Sequence, residues 1–131
     1  MSQNVTAGNR FPKSKRLLKH SDFQRVYQSG RRQFTGNVTV FYRRRDSAEA
    51  GPGPRVGFTV GKVLGGAVER NRIKRRMREA VRLSGAVCFG PVDVVFNPRK
   101  SVLTLPFAKL RDEVAQGLRL AAERARTVEK K

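Results

Sequence analysis

Arg55-Val56-Gly57-Phe58-Thr59-Val60, the glycine-rich turn from Gly61 to Gly66, and then Glu69-Arg70-Asn71-Arg72-Ile73-Lys74-Arg75-Arg76-Met77-Arg78-Glu79-Ala80-Val81-Arg82 decide how this chain folds. The first six residues read as a strand, and the turn feeds a helix whose onset lies near Ala67. Seven of the fourteen residues from Glu69 to Arg82 are Lys or Arg. An apolar helical period nevertheless runs through them. At about 100° per residue, Ile73, Met77, Ala80 and Val81 gather within roughly a third of the circumference, the width of a core-facing stripe. Arg70, Asn71, Lys74, Arg75 and Arg78 fall on one flank of that stripe, Arg72 and Arg76 on the other. Like charges at i,i+4 destabilise an isolated helix, and only Glu69 and Glu79 are at hand to pair with them. Helix stability alone therefore does not account for Arg70, Lys74 and Arg78 in register, whereas a bound polyphosphate chain does. A passive solvated face is the weaker reading.

Outward from this segment the elements follow in turn. Residues 1–10 are polar and without period, a loose tail. Ser21-Asp22-Phe23-Gln24 fits a capping box, which predicts a helix from Ser21 carrying Phe23, Val26 and Tyr27 on one side and stopping at Gly30. A short strand is expected near Gln33 and Phe34, and a longer one from Asn37 to Arg43. Gly51-Pro52-Gly53-Pro54 must be loop. Val92-Asp93-Val94-Val95-Phe96 is a β-branched run suited to a buried strand. Thr104 is the expected N-cap of a last helix, with Pro106 in its first turn. Phe107, Leu110, Val114, Leu118 and Ala121 carry that helix to roughly Arg124. The order α-β-β-β-α-β-α predicts an α+β fold, a single-layer mixed four-stranded sheet packed with three helices. One domain is expected over residues 1–131, with its core at about 11–124 and basic or polar tails at 1–10 and 125–131.

Composition narrows the partner. The 131 residues hold 29 Lys plus Arg against 10 acids, a formal net charge of +19. Such charge favours polyanions. No apolar run approaches the roughly 18 residues that span a bilayer, no signal peptide opens the chain, and the basic segment lacks the Trp/Phe/Leu-rich face of a membrane-surface helix. Nucleic acid and a cytoplasmic setting are the expectation. A single cysteine, Cys88, excludes an internal disulfide and reads as an inert, partly buried thiol. Nothing marks the single histidine, His20, for catalysis. Gly61-Lys62-Val63-Leu64-Gly65-Gly66 lacks the GK[ST] ending of a nucleotide-binding loop, and Asp22, Asp93 and Asp112 have no spacing that assembles a metal site.

Aromatic residues supply the second half of the reading. Phe23 and Tyr27 lie one turn apart on the first helix. Phe34, Phe58, Phe96 and Phe107 are core by default. Phe41 alternates out of phase with Val38 and Val40, so it belongs to the opposite face of the sheet. If the helices cover one face only, Phe41 is free to stack a base. Aromatics interleaved with Arg point to single-stranded RNA rather than a duplex groove. Composition alone favours a structural RNA-binding protein of the ribosomal kind, while a DNA-binding helix-turn-helix fits poorly, since a strand precedes the basic helix.

Arg55-Val56-Gly57-Phe58-Thr59-Val60-Gly61-Lys62, with Gly65-Gly66-Ala67-Val68-Glu69-Arg70-Asn71-Arg72-Ile73-Lys74-Arg75, closely resembles the signature of the bacterial ribonuclease P protein subunit, its RNR box standing as Arg70-Asn71-Arg72. Arg16-Leu17-Leu18-Lys19, Ser21-Asp22-Phe23, Asp93-Val94-Val95-Phe96 and Arg99-Lys100 extend the resemblance over about residues 10 to 120. It implies a ribosomal-protein-like domain with a left-handed βαβ crossover. It also implies a partner catalytic RNA, one protein per RNA, whose active site performs the cleavage with Mg²⁺, so that the protein itself has no catalytic residue and no organic cofactor. The family's protein holds the 5′ leader of precursor tRNA in a cleft between the first helix and the sheet. Carried over by motif position, that cleft comprises Phe23, Tyr27, Phe41, Arg70, Asn71, Lys74, Arg75 and Arg78. Arg16, Lys62, Arg72, Arg76, Arg99 and Lys100 are implied as further RNA contacts. Tyr27 stands where many relatives carry Phe, and Val63 where a second Lys is frequent.

Overall fold

The computed structural model of the chain describes residues 19–45, 53–84 and 90–129. The polar tail, Arg16, Gly51-Pro52, Cys88 and the last two residues lie outside the described residues. Helix α1 (His20–Ser29) leads into strands β1 (Arg31–Phe34), β2 (Val38–Arg44) and β3 (Arg55–Phe58), then helix α2 (Ala67–Ser84), strand β4 (Val92–Pro98) and helix α3 (Phe107–Glu129). A 3₁₀ turn at Lys62–Leu64 precedes α2, and another at Lys100–Leu103 precedes α3. The sheet order is β1-β2-β4-β3. Its first two pairings are antiparallel and β4 with β3 is parallel. β3-α2-β4 is thus a βαβ unit inside an otherwise antiparallel sheet, the α+β architecture expected from the element order.

Register divides the sheet into two faces, because residues directly opposite in a ladder share a side. Val38, Val40 and Tyr42 align with Pro98, Phe96 and Val94, and Val56 and Phe58 align with Val94 and Phe96. Under this face lie α2 and α3. Ile73, Met77, Ala80 and Val81 of α2 are at most 1% exposed, as are Leu110, Val114, Leu118 and Ala121 of α3. Each of these Ile, Met, Val and Leu side chains withdrawn from water contributes on the order of 1.5–3 kcal/mol, and the two alanines less. The approach is closest at Gly117, where a Cβ would stand 2.7 Å from Val40 Cγ2 and 3.1 Å from Phe96 Cε1. Only a helix without a side chain there reaches the sheet.

The opposite face carries Thr39, Phe41 and Arg43 beside Asn97, Val95 and Asp93. It is not bare: α1 crosses it, and Val26 and Val95, both fully buried, form a second small cluster with Phe23 and Phe41. The condition that helices cover one face only is therefore not met. A sheet two residues deep in apolar side chains, Val94 on one side and Val95 on the other, requires cover on both.

Three local expectations are also revised. α1 begins at His20 with Lys19 as its N-cap and no side-chain cap. Gln24 meets His20 Nε2 at 3.1 Å instead of reaching back, while Asp22 is drawn inward to Arg55. The capping box at Ser21 thus yields to a tertiary ion pair. Gly30 does end α1, but in extended conformation (φ −91°). A Cβ there would lie 2.4 Å from the Tyr42 carbonyl oxygen, so close approach rather than a left-handed turn selects glycine. Thr104 closes the 3₁₀ turn, its N–H donating to the Ser101 carbonyl. The Pro106 carbonyl receives the first N–H groups of α3, from Lys109 and Leu110.

Candidate nucleic-acid interface

Three rows of facing residues run across the strands on the α1 side, and α1 covers only part of them. At one end of α1, the buried Asp22 accepts from Arg25 at 3.0 Å and pairs with Arg55 at 3.6 Å. Arg55 donates two bonds of 2.9 Å to Asp93, which also receives Arg45 at 2.7 Å. Asp93 and Arg45 are each 1% exposed. Buried charges persist only when paired and hydrogen-bonded, and this chain of charges fastens α1 to strands β3 and β4. In mid-helix Val26 presses on Val95. Further along, the Tyr27 hydroxyl donates to Asn97 Oδ1 at 3.1 Å and meets the Thr59 hydroxyl at 2.5 Å. Helix α1 is thus held at three points, and the groove beside it is already formed.

Phe23, Tyr27 and Phe41 converge in that groove. The Tyr27 and Phe41 rings meet edge to face, with centroids 4.9 Å apart at 89°. Phe23 and Phe41 are half-buried and Tyr27 is 38% exposed. Each ring is braced by protein on one side and open on another, the arrangement a stacking platform needs. Phe41 keeps part of its ring in solvent although α1 overlies its face and the ring packs against Val26, Val95 and Tyr27.

Along α2 the wheel is borne out for the core stripe. Glu69 caps its own helix by accepting the Gly66 N–H at 3.0 Å, and Glu79 pairs with Arg82. That hydrogen bond holds the Glu79 carboxyl below its usual pKa and the Arg82 guanidinium above its own. Asn71, Arg75 and Arg78 are exposed, Arg70 and Lys74 half-buried. Arg70 is oriented by a 3.2 Å bond from its Nε to the Gly65 carbonyl. On the other flank Arg72 is exposed. Arg76 turns inward: its guanidinium donates to the Leu105 carbonyl and lies 5.9 Å from the Phe107 ring centroid, with Nε buried and unpartnered. Its body packs against the start of α3.

Lys62 is exposed on the first 3₁₀ turn, and Arg99 and Lys100 are exposed where β4 runs into the second. Arg16 lies outside the described residues. Sequence reasoning missed Asp22, Arg55, Thr59 and Asn97 as the residues that set α1, since nothing local marks a partner tens of residues away. It also assigned Phe34 to the core. The register opposes Phe34 to Thr39, on the α1-side face at the sheet's edge, where it is 59% exposed. Among the described residues no three His, Cys, Asp or Glu side chains gather as metal ligands, and no helix is long and apolar enough to cross a membrane.

This geometry can be set beside known proteins. The family model described as Ribonuclease P matches residues 11–122. The ribonuclease P protein component of Desulforapulum autotrophicum is 40% identical over 106 residues, covering 81% of this chain and 87% of that protein. That of Ruegeria pomeroyi is 45% identical over 105 residues, 79% of this chain and 82% of the relative. Among solved structures, the RNase P protein of Staphylococcus aureus superposes with a TM-score of 0.69 at 26% identity, over 82% of this chain and 94% of its own. The RNase P protein of Thermotoga maritima gives 0.69 and 26%, over 79% and 94%.

Proposed function

The chain belongs to the ribonuclease P protein family, and on that footing we propose that it is the protein subunit of the endonuclease that removes the 5′ leader from precursor tRNA. The observation that carries the reading is the groove in which Phe23, Tyr27 and Phe41 meet, beside a helix rich in cations whose two acids are engaged by the Gly66 N–H and by Arg82. Unpaired leader bases stack on the rings. Leader phosphates are neutralised by Arg70, Lys74, Arg75 and Arg78, with Asn71 as a polar contact. Lys62, Arg99 and Lys100, together with Arg16, add contacts to RNA at the groove's ends.

Arg72 meets the catalytic RNA from the other flank. Arg76, turned toward Leu105 and Phe107, shapes that surface more than it touches RNA. Chemistry belongs to the partner RNA, one protein to one RNA, in the cytoplasm. The Mg²⁺ that supplies the hydrolytic chemistry finds no cluster of three His, Cys, Asp or Glu side chains among the described residues, and the oxygens of Asp22 and Asp93 are taken by arginines. The protein's share is to hold the leader and to screen phosphate repulsion between two RNAs, a contribution that weakens steeply as salt rises.

The test is reconstitution. Added to a bacterial catalytic RNA at low Mg²⁺ concentration, the purified chain restores cleavage of precursor tRNA at the mature 5′ end. A chain that binds RNA generally, as a ribosomal protein does, leaves cleavage at the level of the RNA alone.

A further inference from the structure

The groove beside α1 continues past the residues assigned to it. On the α1-side face, Thr39 lies opposite both Asn97 on β4 and Phe34 on β1. The Tyr27 hydroxyl already touches Asn97 and Thr59. One transverse row therefore runs from Thr59 through Asn97 and Thr39 to Phe34, a span of about 14 Å for three inter-strand steps. Helix α1 walls the row on the Tyr27 side and leaves it open. Phe34 is 59% exposed, and the Arg99 guanidinium sits 4.3 Å from its ring centroid. Arg32, also exposed, stands directly opposite Phe41 on the same face.

The far end of this row is built as firmly as the near end. Asn37 receives the Arg99 N–H on its carbonyl at 2.9 Å and the Ser101 hydroxyl on its side-chain oxygen at 2.6 Å. Its own N–H and side-chain amide donate to Glu113 of α3 at 2.9 and 2.6 Å. The β1–β2 turn and the segment bearing Arg99 are thereby locked to one another and to α3, so the ring and the guanidinium that faces it keep their relative positions. An exposed aromatic with cations rather than apolar side chains around it is matched to a stacked, phosphate-bearing base, not to an apolar protein surface.

We propose that Phe34 stacks one further unpaired leader nucleotide beyond the one at Phe41, with Arg32 and Arg99 neutralising the adjoining phosphates. This rests on the leader-cleft reading and lengthens its footprint to the β1 edge of the sheet.

The experiment measures holoenzyme affinity for precursor tRNAs whose leaders lengthen one nucleotide at a time, with Phe34→Ala, Phe34→Trp and Phe41→Ala beside the original chain. Phe34→Ala matches the original for the shorter leaders and falls roughly five- to tenfold behind once the leader reaches the β1 edge, while Phe34→Trp keeps the gain. Thermal unfolding of Phe34→Ala stays close to the original, since the ring is mostly in solvent. A Phe34→Ala curve that coincides with the original at every length overturns the proposal. So does an equal loss for all leaders and for mature tRNA, which assigns Phe34 to the catalytic RNA or the tRNA body. If Phe41→Ala also shows no dependence on leader length, the leader-cleft reading itself is what has failed.

Discussion

Replacing Asp93 by Ala removes the hub that ties the strands to α1, and its cost can be worked from the contacts. Asp93 accepts one bond from Arg45 at 2.7 Å and two from Arg55 at 2.9 Å. Arg45 is 1% exposed, so its guanidinium cannot turn to water to replace Asp93, although it keeps its bonds to the Val92 and Gly53 carbonyls. Stranding one member of a buried ion pair costs about 3–5 kcal/mol. Arg55 is less exposed to that penalty, because its side chain retains 17% accessibility and a second acid in Asp22. The whole effect is thus about 3–5 kcal/mol, a large fraction of the roughly 5–15 kcal/mol that holds a domain together. Urea unfolding followed by circular dichroism reads it directly. Asp93→Ala combined with Arg45→Met recovers part of the loss, since no charge is then left unpaired. A single-variant loss below about 1 kcal/mol, or a double variant less stable than Asp93→Ala alone, would refute the view that this network fastens the groove's wall.

Two other substitutions separate groove setting from groove chemistry. Tyr27→Phe removes the bonds to Thr59 and Asn97 but keeps the ring, so stability falls by about 1 kcal/mol while precursor tRNA affinity changes little. A large affinity loss at full folding would give the hydroxyl a direct role at the leader. Gly117→Ala adds a methyl that meets the rigid, buried Val40. Overpacking of about 1–3 kcal/mol outweighs the roughly 1 kcal/mol gained in helix propensity, so the melting temperature drops; a rise would mean that α3 shifts freely against the sheet.

The parts of this molecule that were legible in the sequence are those governed by a long local period. The 18 residues of α2 repeat their apolar positions often enough that the buried Ile73, Met77, Ala80 and Val81 could be picked out before any contact was known. The same holds for Leu110, Val114, Leu118 and Ala121 of α3. What a local period does not contain is which side of a sheet a helix takes. Helix α1 shows a single fully buried apolar residue, Val26, and its partner Val95 lies in a strand apolar on both faces. Phe34 was lost for a related reason: the side of a four-residue edge strand depends on the turn at Thr35–Asn37, where Gly36 has φ +112°. The start of α1 went wrong because a good local cap at Ser21 competes with an ion pair from Asp22 to Arg55 across the fold. At the candidate site the cations were legible by the wheel. That Arg76 spends itself on Leu105 and Phe107 was not, because those partners lie where the next helix begins.

The central claim is that the groove between α1 and the sheet holds the 5′ leader, and Phe41→Ala tests it most directly. The ring is half-buried, so the free protein loses about 1–2 kcal/mol of stability and the assay is run well below the melting temperature. Holoenzyme carrying Phe41→Ala should bind precursor tRNA about tenfold more weakly and mature tRNA as tightly as before. Equal weakening for both substrates would contradict the account.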